Sequence, residues 1–174
     1  VYKGDFRKWR KFANSLRLRI AVRISNVEPV LARSLAEEAV RDGVIERNED
    51  NCTISYNKSG LWTTAVSWGD SRICADLESY MTGYRDPRIG RYFQQPEQPG
   101  DRRFIGCRAG ALIGSNFLAK RLYSTANVSE TTPGVWLTAS EMAFCKAEGV
   151  LRGWNMGGGT AKDFYEQGVT LSFR

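Results

Sequence analysis

The hydrophobic pattern is strongest at the two ends of the chain. On a helix of 3.6 residues per turn, Phe6, Trp9, Phe12, Ala13, Leu16, Ile20 and Ile24 form one apolar row. Leu18 and Val22 fall nearly opposite, beside the basic row Lys8, Lys11, Arg19 and Arg23. A helix with two apolar sides is expected to sit between neighbours, as in a stacked helical repeat. Glu28-Pro29 starts a return helix, because the first turn leaves its amides unbonded and proline has none to lose. Leu31, Ala32, Leu35, Ala36, Ala39 and Val40 then recur at helical spacing, and Gly43 suits the positive φ that follows a helix end. Residues 6–43 together make a hairpin of about 38 residues, near the roughly 34 of a tetratricopeptide repeat.

Residues 138–174 repeat this form. Thr138-Ala139-Ser140-Glu141 reads as a capping box, with Met142, Ala143, Phe144, Ala147, Val150 and Leu151 as the packing side and Gly153 as the stop. Gly157-Gly158-Gly159 turns the chain, and Thr160 with Asp163 starts another helix. Ala161, Tyr165, Gly168 and Ser172 give that helix a face of mostly small residues, open to close approach. The helical pattern runs to Arg174 without a cap.

The middle is less regular. Residues 48–51 read as a polar loop, 53–56 and 61–68 as short strands or loose loop, 71–82 as a helix stopping near Gly83, and 94–103, with Pro96, Pro99 and Gly100, as surface loop. No composition shift marks a boundary, so residues 1–174 are taken as one region. The fold class is mainly α: a tetratricopeptide-like α/α superhelix with an irregular, loop-rich middle.

Charge and composition narrow the chemistry. The net charge is +6, but residues 1–23 hold eight of the 25 Lys and Arg and only one of the 19 acids, Asp5, so the remainder is nearly balanced. Histidine is absent, which removes the usual general base and the commonest metal ligand. Cys52, Cys74, Cys107 and Cys145 are scattered with no CxxC pair, which gives no zinc or redox motif and leaves the disulfide pattern open. Cys145, in an apolar helical stretch, reads as a buried thiol. Glu37-Glu38 and Asp76/Glu78 are not placed as catalytic pairs, and the glycine runs lack the context of a phosphate loop. The chain is therefore read as no enzyme, with no cofactor, metal or catalytic residue.

Two binding readings stay open. The basic helix suits RNA by counterion release, unless its charges pair with acids such as Glu37, Glu38, Glu141 or Glu148. The middle carries Tyr56, Trp62, Trp68, Tyr80 and Tyr84 with Asn57, Asp70, Arg72 and Arg85 nearby. Flat rings suit the C–H faces of sugars, and amide, carboxylate and guanidinium groups suit the hydroxyl rim. Trp62, Trp68, Tyr84, Asn57 and Arg72 are the ligand-binding candidates on this argument.

Tyr2-x-Gly4-Asp5, the run from Trp9 to Ser25, Asp86-Pro87-Arg88 with Tyr92-Phe93, Ile105-Gly106-x-Arg108-x-Gly110 and the stretch from Leu137 to Glu148 with Gly153-Trp154 resemble, in this order, the SusD/RagB family. The resemblance implies a helical, tetratricopeptide-like fold. It also implies a surface-exposed lipoprotein of the outer membrane that captures oligosaccharide or another nutrient and delivers it to a TonB-dependent, SusC-like transporter, without nucleic acid as partner. The lipid anchor and further parts of the family's length are not in these 174 residues, which read as an internal piece. The shared motifs mark scaffold, so no ligand contact is carried over from them.

Overall fold

The computed structural model describes residues 1–173; Arg174, and with it the expectation of a helix running uncapped to that residue, lies outside the described residues. In chain order come helices α1 (Phe6–Ile24) and α2 (Pro29–Asp42), strand β1 (Cys52–Ile54), the single turn α3 (Gly60–Trp62), a wider π-helical turn over Thr63–Trp68, and α4 (Ala75–Gly83). They are followed by α5 (Ile89–Tyr92), β2 (Phe93–Gln94), α6 (Asn116–Leu122), β3 (Thr125–Ala126), β4 (Gly134–Leu137), α7 (Ala139–Leu151) and α8 (Ala161–Ser172). The protein is mainly α, with tetratricopeptide-like hairpins and a loop-rich middle. Although composition marks no boundary, the chain packs as two compact units: residues 1–54 with 134–173, and Ser55–Pro133.

In the first unit α1 pairs with α2, α7 pairs with α8, and α1 also packs on α7. The packed side of α1 is Ser15, Leu18 and Ala21, with Ser25 just beyond the helix end. The expected row is largely solvent-facing: Phe6 is 85% exposed, and Leu16 and Ile20 are exposed as well. The reason lies in the partner helix. Ala32, Ala36 and Ala39 line α2 at helical spacing and are fully buried, so the backbones approach closely and Leu18 fills the space between. The Ser15 hydroxyl is satisfied inside, donating to the Lys11 carbonyl at 2.7 Å and accepting from the Ile45 amide at 2.8 Å. Trp9 packs edge-on between Tyr2 and Phe12 instead of entering the core.

The second hairpin corrects two details. At Thr138 half a capping box forms: the threonine oxygen accepts from the Glu141 amide, but the Glu141 carboxylate is taken by the Arg19 guanidinium. The complete box is at Thr160 and Asp163. Leu151, expected in the core, is 79% exposed, and the space is filled by Trp154 and Met156 from the following loop. Gly153, at φ +76°, lets the Trp154 amide return to the Gly149 carbonyl at 2.9 Å and folds that loop back over α7. The small face of α8 does meet another helix, with Gly168 against the Phe144 ring and Phe144 beside Tyr165. Strands β1 and β4 form an antiparallel pair in which Thr53 faces Val135 and Ile54 faces Gly134.

In the second unit, residues 61–68 are helical rather than extended. Ser59 caps the first turn at the Trp62 amide, and the Thr63 and Thr64 hydroxyls bond back to the Ser59 and Gly60 carbonyls. Those internal bonds satisfy side chains that would otherwise favour a strand. The helix expected over 71–82 begins only at Ala75, because Ile73 and Cys74 are held extended: the Ile73 amide donates to the Ser124 carbonyl, and Cys74 bridges to Cys107. β2 and β3 pair antiparallel, Phe93 opposite Ala126. Among the described residues no helix is long and apolar enough to cross a membrane.

Candidate ligand-binding site

Helix α4 presents the aromatic surface of the second unit. Met81 and Glu78 turn inward, while Tyr80 and Tyr84, one turn apart, are 67% and 82% exposed. The two rings border two shallow grooves. One, of about 460 Å³, is lined by Asp76, Ser79, Gly83 and both tyrosines. The other, of about 300 Å³, adds Leu77, Met81, Asp86, Arg88 and Tyr92 to the same pair. A ridge of two phenol rings, with the Asp76 carboxylate and Ser79 hydroxyl on one flank and the Asp86 carboxylate and Arg88 guanidinium on the other, supplies both an apolar face and a polar rim.

The turn after α4 fixes that rim. The Asp86 amide returns to the Met81 carbonyl at 2.8 Å and the Arg85 amide to Thr82 at 3.0 Å, closing the helix with Arg85 in the left-handed region at φ +53°. Asp86 then accepts from Arg88 Nη2 at 2.6 Å, from its Nε at 2.9 Å and from its backbone amide at 2.9 Å. The Arg88 side chain, followed by its amide, holds the Asp86 carboxyl down to about 2. The guanidinium is pushed up in turn, chiefly by the hydrogen bond to Asp86. A cavity of about 470 Å³ on the inner flank of α4 is floored by Met81, Ile89 and Phe104. Its buried Glu78 accepts from Arg102 Nη2 at 2.6 Å and from the Thr82 hydroxyl at 2.8 Å.

The five candidates are dispersed. Tyr84 lines both tyrosine grooves. Arg72 lines a separate cavity of about 190 Å³ with Gln94, Gln95, Glu97, Lys120 and Tyr123. Its Nη1 donates to the Ala65 and Ser71 carbonyls at 2.9 and 2.7 Å, and burial draws its pKa down against the opposing pull of Asp70 and Glu97. Trp62 is half-buried, with the Lys58 ammonium 5.4 Å above its ring. Trp68 is 59% exposed at the end of the π-helical turn, where its carbonyl accepts from Asn116. Asn57 is exposed in the turn before Ser59. Trp62, Trp68 and Asn57 are not part of these cavity linings, and no two of the five share one. Tyr80, Asp86, Arg88 and Tyr92, which are not among the five candidates, line grooves together with Tyr84. The four-residue spacing of Tyr80 and Tyr84 was the available signal, since it puts both rings on one helix face.

The basic helix is largely neutralised. Lys8 and Lys11 reach Asp50 at 3.3 and 2.6 Å, Arg17 reaches Asp42 at 3.0 Å, and Arg19 is held by Glu141. Two of the acids named as partners, Glu38 and Glu141, take part. Glu37 is turned instead to Arg33 and the Asn155 amide, and Glu148 to Arg152.

The family model described as SusD-like, "Susd and RagB outer membrane lipoprotein", matches residues 1–174. A SusD homologue from Bacteroides thetaiotaomicron is 43% identical, with a TM-score of 0.91 over 99% of this chain and 37% of its own. A SusD-like protein from the same organism is 44% identical, at TM-score 0.89, covering 99% of this chain and 36% of its own. A SusD homologue from Flavobacterium johnsoniae described as chitin-binding is 41% identical, with a TM-score of 0.86 over 99% and 36%. The chain thus spans little more than a third of the length of these relatives. No curated protein matches it.

Proposed function

Because the chain belongs to the SusD-like family, we propose that it is part of a non-enzymatic, surface-exposed lipoprotein of the outer membrane that binds an oligosaccharide and passes it to a SusC-like, TonB-dependent transporter. The observation that carries the reading is the exposed Tyr80–Tyr84 ridge between two grooves edged by Asp76, Asp86 and Arg88. A pyranose ring laid on either phenol buries its C–H face, and its hydroxyls reach the carboxylate and guanidinium oxygens and nitrogens on the flanks. The chitin-binding description of a relative 41% identical to this chain supports a glycan as the ligand class. Trp68, the more exposed of the two tryptophan candidates, is proposed as a secondary platform.

Calorimetric titration of the intact protein with a panel of oligosaccharides tests this. Binding to at least one is expected, with Tyr84→Ala and Tyr80→Ala each weakening it about tenfold, on the order of 1.4 kcal/mol. Trp68→Ala is expected to have a smaller effect. A folded protein that takes up no member of the panel overturns the glycan reading. Binding that ignores both tyrosine substitutions moves the site off α4.

A further inference from the structure

Within the second unit one pair of reactive side chains is held face to face. Cys74 and Cys107 are partners in an isolated parallel β-bridge. The Cys107 amide donates to the Ile73 carbonyl at 2.8 Å, and the Ala75 amide donates to the Cys107 carbonyl at 2.9 Å. Adjacent strands lie about 4.8 Å apart, and residues directly opposite each other share a face. That spacing falls within the roughly 4.4–6.8 Å Cα separation of disulfides. Gly106 keeps the two segments close, since a Cβ there would come within 2.5 Å of the Ala75 Cα.

Both cysteines are half-buried free thiols. Cys74 Sγ donates to the Asp76 carboxylate at 3.3 Å and Cys107 Sγ to the Arg108 carbonyl at 3.6 Å. These are weak single bonds, released by rotation about χ1. The other two thiols are poorly suited to exchange. Cys52 is 2% exposed, and burial pushes Cys145 up to about 11.

We infer that Cys74 and Cys107 are a disulfide-forming pair that closes residues 74–107 into a covalent loop. The oxidant is a protein or small-molecule disulfide. One thiol loses its proton and attacks a sulfur of that disulfide, forming a mixed disulfide and releasing one reduced thiol. The second thiol, deprotonated in turn, attacks the sulfur of the first cysteine; the Cys74–Cys107 bond forms and the second reduced thiol leaves. Two cysteine thiols are oxidised and one external disulfide is reduced. Every residue lining the tyrosine grooves lies inside the closed loop, and Cys74 is the residue that precedes α4. Oxidation therefore pins the start of the helix that carries Tyr80 and Tyr84, whatever those rings bind.

The test is to reduce the intact protein, remove the reductant, equilibrate it with excess oxidised glutathione, then denature, alkylate and map it by mass. Two of the four cysteines are expected to escape alkylation, with one cross-linked peptide pair carrying Cys74 and Cys107. Dithiothreitol should restore four alkylated sites. Cys107→Ser should abolish the cross-link and leave Cys74 alkylated or carrying glutathione. Four alkylated cysteines in the oxidised wild type, two separate glutathione adducts, or a cross-link through Cys52 or Cys145 would overturn the pairing.

Discussion

Gly106 and Arg85 are opposite cases of backbone demand. Gly106 has ordinary φ, but any side chain there meets the Ala75 Cα at 2.5 Å and its nitrogen at 2.8 Å, and neither can move without breaking the bridge. Gly106→Ala is expected to destabilise by about 1–3 kcal/mol, as overpacking does, read from the midpoint of denaturant unfolding. Arg85 is a long side chain in a conformation that costs an L-residue roughly 1–2 kcal/mol. Arg85→Gly should therefore raise the same midpoint; a fall would mean that the guanidinium contributes more to stability than the backbone strain removes. Position 153, which closes α7 in the same way, already holds glycine. Sequence could point to Gly153 as a helix stop because helix period and glycine coincide there. It could not point to Gly106, whose constraint comes from a residue thirty-one positions away.

At the scale of elements, the starts and stops of the two terminal hairpins were legible, whereas the start of α4 and the packed face of α1 were not. Pro29, Gly43, Thr160 with Asp163, and Gly153 all act where local rules put them. Thr160→Ala removes a reciprocal cap and is expected to cost about 1 kcal/mol. Thr138→Ala removes only the single bond to the Glu141 amide and should cost less; thermal unfolding of the two variants gives the comparison. The face of α1 was misread because its buried side is written in small and polar residues, Ser15, Ala21 and Ser25, around one leucine. Hydrophobic periodicity weights Phe6 and Leu16 above these, yet the deciding fact is the alanine surface of α2, which lets the two backbones approach closely and leaves room for Leu18. The grouping of the aromatic residues was equally hard to read from sequence. The supply of aromatics in the middle was visible, but which rings share a groove depends on the turn after α4 and not on proximity along the chain.

For the molecule as a whole, acid is the expected weak point. Hydrogen bonds from Arg88 hold Asp86 down to about 2. Asp50 is lowered chiefly by Lys11, Glu37 chiefly by the Asn155 amide and Asp163 chiefly by the Thr160 amide. Each carboxyl binds its proton more weakly folded than unfolded, so each contributes stability that is complete above the unfolded value of about 4 and is lost as pH falls through the folded one. Denaturant midpoints should thus be flat from pH 7 to about 5 and decline from about 4 towards 2. The loss should be smaller for Asp86→Asn, which has already given up one of these contributions. A midpoint that rises on acidification would contradict the assignment.

The short ladder between β1 and β4 has a consequence for diversification. It brings Ile54 and Gly134, the residues flanking Ser55–Pro133, into direct register. The doorway through which that stretch leaves and re-enters its frame is one strand spacing wide, whatever the length of polypeptide looped out beyond it. A replacement cassette needs only ends that meet at the same width. The ligand site proposed for residues 76–92 can therefore be replaced wholesale while the helical hairpins keep their alanine-lined packing unchanged.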